Sequence, residues 1–192
     1  SLVDSRTREL RNTRLQVVQR LGRAAEYRDE DTGHHIMRMS HMSARLAAEL
    51  GWPDDQVELL LHASPMHDIG KIGIPDAILR KPGRLTADEW ETMKTHTTIG
   101  AELLDGDDSD LMTLAREIAL THHGSGYPAG SRGDGIPLSG RICGLADVFD
   151  ALTSARPYKQ AWPVDKALEL IRDNRGRQFD PTLVEAFFDV ID

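Results

Sequence analysis

Apolar positions recur at helical spacing along most of this chain. From about Asp4 to Arg28 an Arg-rich stretch without proline places Leu10, Val17, Leu21 and Ala24 on roughly one face. So thin a stripe suits a linker helix or a short coiled coil, and a first helix packed on its own domain fits the same pattern. From about Thr32 to Leu50 the apolar series Ile36, Met39, Leu46, Ala47 and Leu50, with Ser43 among them, predicts a second helix, and Gly51 stands just past its end. Trp52-Pro53 breaks the chain, and Asp54 is placed to cap a third helix through Val57, Leu60, Leu61 and Ser64 that ends near His67-Asp68. Residues 69–84, with Gly70, Gly73, Gly83, Pro75 and Pro82, read as a loop. Thr86 and Glu89 have capping-box spacing and open a helix through Trp90, Met93, Thr97 and Gly100. Further helices are expected at about 109–121, 139–153, 164–174 and 181–191, with a loop dense in glycine and proline over 124–138.

Composition sharpens this to an all-α domain. Apolar residues are 40% of the chain, yet only 5% is aromatic, so Leu, Ile, Val, Met and Ala must fill the core. The formal net charge of −8 removes the basic footprint that duplex nucleic acid requires. Cys143 is the single cysteine, which excludes an intramolecular disulfide and a thiolate metal cluster. No apolar run is long enough to span a membrane and no secretory signal is visible, so a cytoplasmic location is expected. The chain starts at Ser1 inside a helical pattern and is read as a piece of a longer protein.

The chemistry lies in the placement of histidines and aspartates. His67-Asp68 and His122-His123 close helices, His35 opens one, and His96 follows Met93 near an inward face. Asp147 sits in the apolar stretch 142–149, where a bare carboxylate costs several kcal/mol unless paired or metal-bound. A lone histidine is usually a satisfied core residue, and His41 and His62 are read that way. The set as a whole is not explained so simply. Mixed His and carboxylate donors suit Fe, Mn, Zn, Co or Ni better than Mg or Ca. The adjacent pairs can serve two neighbouring ions, with Asp68 or Asp147 as a bridging oxygen donor.

His67-Asp68-Ile69-Gly70-Lys71 resembles the HD signature, and Gly126-Tyr127-Pro128 resembles the GYP motif. Asp31-Thr32-Gly33-His34-His35, Ile74-Pro75-Asp76, Lys94-Thr95-His96-Thr97, Asp147-Val148-Phe149-Asp150, Arg156-Pro157-Tyr158-Lys159 and Phe179-Asp180-Pro181 extend the likeness over nearly all of residues 20–190. The chain thus resembles the HD-GYP phosphodiesterases. The resemblance implies an HD-type helical bundle over residues 25–192, with extra C-terminal helices and residues 1–24 as a linker or dimerisation helix. It implies hydrolysis of cyclic di-GMP to pGpG, GMP or both, at a centre of two or three divalent ions, Fe or Mn first, with Zn, Co or Ni as alternatives. Positions matching the family's ligands are His35, His67, Asp68, His96, His122, His123 and Asp147, with Asp31 in place of a Glu that helps hold a third ion. The implied setting is a bacterial response regulator with a receiver domain before the linker helix.

The mechanism expected from this set is attack by a hydroxide shared between two ions about 3.5–4 Å apart, in line with the leaving 3′ oxygen. Asp68 and Lys71 are the expected catalytic residues, Lys71 touching a phosphate oxygen or the hydroxide. Asp29, Tyr127, Asp150, Arg156 and Lys159 are the candidates for substrate contact, Arg156 and Lys159 supplying the local positive charge that composition lacks. One departure stands out: His123 runs directly into Gly124, where the family has four more residues. Either the loop is shortened or a segment is missing from this numbering, and the good match on both sides favours the second. Two other functions are carried forward: a catalytically weak module that binds a cyclic dinucleotide or a partner protein, and a related hydrolase of nucleotides such as dNTPs.

Overall fold

The computed structural model describes residues 2–28, 34–123, 135–155 and 159–191. Ten α-helices are formed by these residues: α1 (Leu2–Arg28), α2 (His34–Glu49), α3 (Asp54–Ala63), α4 (Asp76–Leu79), α5 (Ala87–Lys94), α6 (His96–Leu103), α7 (Asp110–Thr121), α8 (Leu138–Thr153), α9 (Val164–Asp173) and α10 (Pro181–Ile191). Among the described residues there is no strand, only an isolated bridge between Arg175 and Phe179. The all-α expectation is met. No helix is long and apolar enough to cross a membrane among the described residues.

The helices follow their apolar stripes. α2 turns Ile36, Met39, Leu46 and Ala47 inward against α3 and α8. α7 packs between α3 and α8 through Ala115, Ile118 and Ala119. Leu60, Ile142, Leu145, Ile171, Leu183 and Phe187 complete one continuous core. Burying each such side chain contributes roughly 1.5–3 kcal/mol. Gly51 takes φ +81° just past α2, the left-handed stop that the sequence suggests, and Gly176 takes φ +74° in the turn that follows α9. The Thr86–Glu89 capping box forms with both bonds in place.

Three expected boundaries shift. The helix from Thr86 to Gly100 is two helices, broken at Thr95, whose hydroxyl donates to the Thr92 carbonyl at 2.6 Å. That bond takes a carbonyl the helix would otherwise use and favours a local end. The loop at 69–84 contains a 3₁₀ turn at Ile69–Gly73 and the short α4. Asp54 does not cap α3: Pro53 holds that position without a side-chain bond, and Asp54 lies in the first turn, where its charge meets the helix dipole.

Close backbone approaches draw the site's elements together. A Cβ on Gly70 would lie 1.8 Å from the His96 carbonyl oxygen, so the 69–73 turn rests directly on the start of α6. A Cβ on Gly144 would lie 2.2 Å from the His122 oxygen, and one on Gly140 the same distance from Thr121 Oγ1. Glycines at i and i+4 of α8 thus let it lie against the end of α7, with Asp147 one turn further along. α1 runs unbroken to Arg28, and Gly22, Ala25 and Glu26 form its inward face against residues 64–66 and 69–73.

Candidate metal centre

Each candidate histidine is delivered by a helix end. α3 tightens into a 3₁₀ turn at Ser64–Met66 and stops at His67. There both the backbone N–H and Nδ1 reach the Ser64 carbonyl, at 3.2 and 3.0 Å. His122, at the C-terminal end of α7, repeats this on the Ile118 carbonyl at 2.9 and 3.1 Å. His96, the first residue of α6, directs Nδ1 to the Met93 carbonyl at 2.7 Å. A carbonyl only accepts, so Nδ1 carries a proton in all three rings, and in the neutral form Nε2 presents a lone pair. His35 differs: its Nδ1 faces Asp150 Oδ2 at 2.6 Å and its Nε2 faces Asp147 Oδ1 at 3.1 Å.

The Nε2 atoms converge on two aspartates. Asp68 Oδ1 lies 3.2 Å from His96 Nε2 and 3.4 Å from His122 Nε2. Its Oδ2 lies 3.3 Å from His67 Nε2 and 2.7 Å from Lys71 Nζ. Asp147 Oδ1 lies 3.9 Å from His67 Nε2, so it stands between His35 and His67. Two groups of donors result, each within 4.8 Å: Asp68, His96, His122 and His123, and Glu26, His35 and His67. Of the eight residues that the sequence offers as metal ligands, the seven among the described residues are therefore brought together in space.

These donors fit a metal. His67 Nε2, Asp68 Oδ1 and His122 Nε2 are buried without a hydrogen bond. Their short contacts to one another have ion-pair distance but not hydrogen-bond direction. Burial without such a bond costs about 1–3 kcal/mol per group, a cost that cations bound among these atoms would remove. His96 Nε2 and His123 Nε2 are 2.9 Å apart, and two facing lone pairs need a proton or a cation between them. Neighbouring ligands with bonds of about 2.1 Å at a right angle stand about 3 Å apart.

Electrostatics divides the centre. Burial alone would depress the His35 pKa, but hydrogen bonds to Asp147 and Asp150 outweigh it and hold the ring up to about 10. Burial likewise opposes charge on His67, and Asp68 more than offsets it. His122 is lowered by burial, and His123 is pushed down to about 2 by burial and the neighbouring His122. Against burial, Lys71 and His67 hold Asp68 well below the carboxylate range, and His35 does the same for Asp147. Glu26 is raised, chiefly by burial.

A pH dependence follows. His35 in the metal-free protein has a folded pKa above its unfolded value, so its ion pairs stabilise fully below the unfolded pKa of about 6.5 and fade as pH rises through about 10. An ion that takes His35 Nε2 must displace that proton. Metal loading near neutral pH will therefore release protons, and affinity will rise by up to about tenfold per pH unit for each proton displaced. Calorimetry in two buffers of different ionisation enthalpy measures the release, and none would contradict the assignment.

Two residues that sequence reasoning missed join the site. Glu26 comes from α1, and its signal was a carboxylate one turn after Gly22 on a face of small residues. Arg38, one turn after His35 on α2, holds Asp150 through Nε at 2.6 Å and Nη2 at 3.0 Å, and Nη2 also donates to Ser154 Oγ at 2.8 Å. The Asp150 carboxylate thus points at His35 and Arg38. Lys159 is exposed, its Nζ 5.8 Å from the Trp162 ring centroid. His41 is exposed and His62 half-buried near Gln19 and Glu58. Asp29, Asp31, Tyr127 and Arg156 lie outside the described residues, as does Gly124 at the His123 junction.

Helices that end in His and Asp donors, gathered in a buried cluster that could hold metal, define a helical domain built around a candidate metal centre. Residues 9–183 match the family described as HD domain, and the chain belongs to that family. It is 48% identical over 182 residues to the cyclic di-GMP phosphodiesterase response regulator RpfG of Xanthomonas campestris, covering 93% of this chain and 48% of that protein. It is 45% identical over 181 residues to the 3′3′-cGAMP-specific phosphodiesterase 2 of Vibrio cholerae, covering 92% of this chain and 35% of that one. The chain thus spans less than half the length of these curated relatives. The HD domain of L. monocytogenes phosphodiesterase PgpH, solved with cyclic di-AMP, superposes with TM-score 0.57 at 20% identity, covering 82% of this chain and 86% of that one. At that identity the likeness establishes the fold.

Proposed function

We propose that this chain is a metal-dependent phosphodiesterase domain of the HD-GYP type that hydrolyses cyclic di-GMP to pGpG, GMP or both. The observation that carries the reading is that His67 Nε2, Asp68 Oδ1 and His122 Nε2 lie buried without hydrogen bonds, the two rings facing the two oxygens of Asp68. His35, His67 and Asp147 would hold one ion, and His96, His122 and His123 another, with Asp68 between them. Bound divalent ions, Fe or Mn by this reading and two or three in number, supply Lewis acidity to a phosphoryl group and to a water nucleophile.

The chain's own residues do the rest. Asp68 faces three histidines and Lys71 at once, so it fixes their spacing and supplies the negative charge they require. Lys71 Nζ stands beside Asp68 at 2.7 Å, where an incoming phosphate oxygen can share it. The low His123 pKa keeps that ring neutral at physiological pH, a donor rather than a cation. Next to His35, a cleft of about 540 Å³ runs beside Asp150 and Arg38, walled by Met37, Met42 and Phe149. Its mixed apolar and charged lining offers stacking and hydrogen-bonding groups of the kind a nucleobase takes. Asp29, Tyr127, Asp150, Arg156 and Lys159 remain the proposed substrate contacts. Residues 1–24 are proposed as the linker or dimerisation segment, a receiver domain as the partner that precedes it, and the cytoplasm as the location.

Asp150 also orients His35, as carboxylates commonly do for metal-bound imidazoles. Asp150→Ala will weaken metal affinity about 10–100-fold, measured by calorimetric titration, and unchanged affinity would remove that role. The function is tested with purified protein loaded with Mn(II) or Fe(II), against a chelated control, on cyclic di-GMP and on 3′3′-cGAMP. Preference for the second would assign the specificity of the Vibrio relative. No turnover with either would leave the binding-module reading.

A further inference from the structure

We propose that Glu26 is a metal ligand donated by α1, completing a cation position with His35, His67 and Asp147. This deepens the metal-centre reading and rests on it. Glu26 is 3% exposed, and its carboxylate lies within 4.8 Å of ring nitrogens of His35 and His67. Two donors on one ion with bonds of about 2.1 Å stand at most about 4.2 Å apart, so side-chain rotations of well under an ångström would seat all three on one ion. Asp147 Oδ1, 3.1 Å from His35 Nε2 and 3.9 Å from His67 Nε2, adds a fourth donor. The independent sign of a ligand is His67 Nε2, fully buried and without a hydrogen bond, on the same side of the centre.

The carboxylate is held there by the way α1 docks. One turn earlier, Gly22 lies so close to residue 65 that a Cβ would come within 2.4 Å of the Pro65 oxygen. Ala25 is buried beside it. Two residues later, Arg28 donates to the carbonyls of Lys71, Ile72 and Ile74, and pairs with Asp76 at 2.8 Å. Those carbonyls belong to the segment that follows Asp68. The end of α1 and the HD turn are therefore joined on either side of the position that Glu26 occupies. A carboxylate placed so deliberately among imidazoles contributes an anionic oxygen that a His-only pair lacks, and mixed donors of this kind suit Mn and Fe.

The test reads metal, not turnover. Wild type, Glu26→Gln and Glu26→Asp are stripped with chelator and titrated with Mn(II), with free Mn(II) followed by EPR and retained metal measured after desalting. Wild type is expected to hold at least two equivalents. Glu26→Gln is expected to lose one equivalent, or to bind it at least tenfold more weakly, while the equivalent at Asp68, His96, His122 and His123 persists. Glu26→Asp, which keeps the charge on a shorter stem, is expected to fall between them. Far-UV circular dichroism and melting of the stripped proteins register folding separately, and Glu26→Asp carries the test if the Gln variant does not fold. Equal stoichiometry and affinity in wild type and the folded variants would overturn the assignment of Glu26 while leaving the metal centre standing. A wild type that retains no metal would overturn both.

Discussion

Asp68→Ala and His67→Ala will each abolish metal-dependent cleavage, lowering the rate on the order of 10³-fold or more. The magnitude follows from what the pair holds. Lewis-acid stabilisation of a phosphoryl transition state is worth several kcal/mol, and each 1.4 kcal/mol or so is a factor of ten in rate. Asp68 is the more consequential, because its two oxygens contact His96, His122, His67 and Lys71 together. Without it, three imidazoles and an ammonium crowd a buried space with no counter-charge between them. Metal content should fall with activity, and circular dichroism should show that the helices persist. Full turnover by either folded variant after metal depletion would refute the mechanism.

Gly70→Ala is expected to be the most damaging conservative change outside the ligands. The added methyl would stand 1.8 Å from the His96 oxygen and 2.5 Å from the Gly100 nitrogen. Both are backbone atoms of α6, so relief requires moving the helix or the turn that follows Asp68. Overpacking of this sort costs up to about 3 kcal/mol, at times more. In a chain of this size that corresponds to a fall in melting temperature of roughly 10 °C. His96 would move away from Asp68 in the same step, so metal affinity should drop with stability. Gly73→Ala is the natural comparison. Its Cβ would meet only the Ile99 side chain, at 3.0 Å and beyond, and a side chain can yield. A Gly70 variant that melts with the Gly73 variant and binds metal normally would show that the two elements are not locked.

Most of the helices and most of the site were legible because both are written in local patterns. Apolar spacing marked α2, α7 and α10, and the capping box marked the start of α5. The candidate histidines and Asp68 could be read because each stands at a helix end, where a sequence changes character, and Asp147 because a carboxylate interrupts the apolar run of α8. What could not be read depends on contact across the chain. Thr95 breaks a stretch whose periodicity is continuous, and only the Gly70 backbone lying on α6 shows what sits against that break. Glu26 was hidden for a related reason. Its helix looked like a thin stripe of Leu and Val, several of which are exposed. The buried face is instead Gly22, Ala25 and Glu26, two small residues and an acid that no hydrophobicity pattern selects. Arg38 was missed because a cation on a helix face ordinarily reads as solvated, whereas here it grips Asp150.

The bonds from His67 and His122 to Ser64 and Ile118, and from His96 to Met93, have a consequence for how such a domain can change over time. The tautomer of each ring is set by a main-chain oxygen within its own turn. A carbonyl is present whatever side chain the residue bears. Substitutions at those three positions that preserve the helix therefore leave the imidazole chemistry as it was. The residues that meet a substrate can drift through many combinations while the ligands keep their protons in the right place. Under the proposed function, catalytic competence and substrate preference are then separately mutable, and a lineage can alter which molecule it cleaves without first losing the ability to cleave.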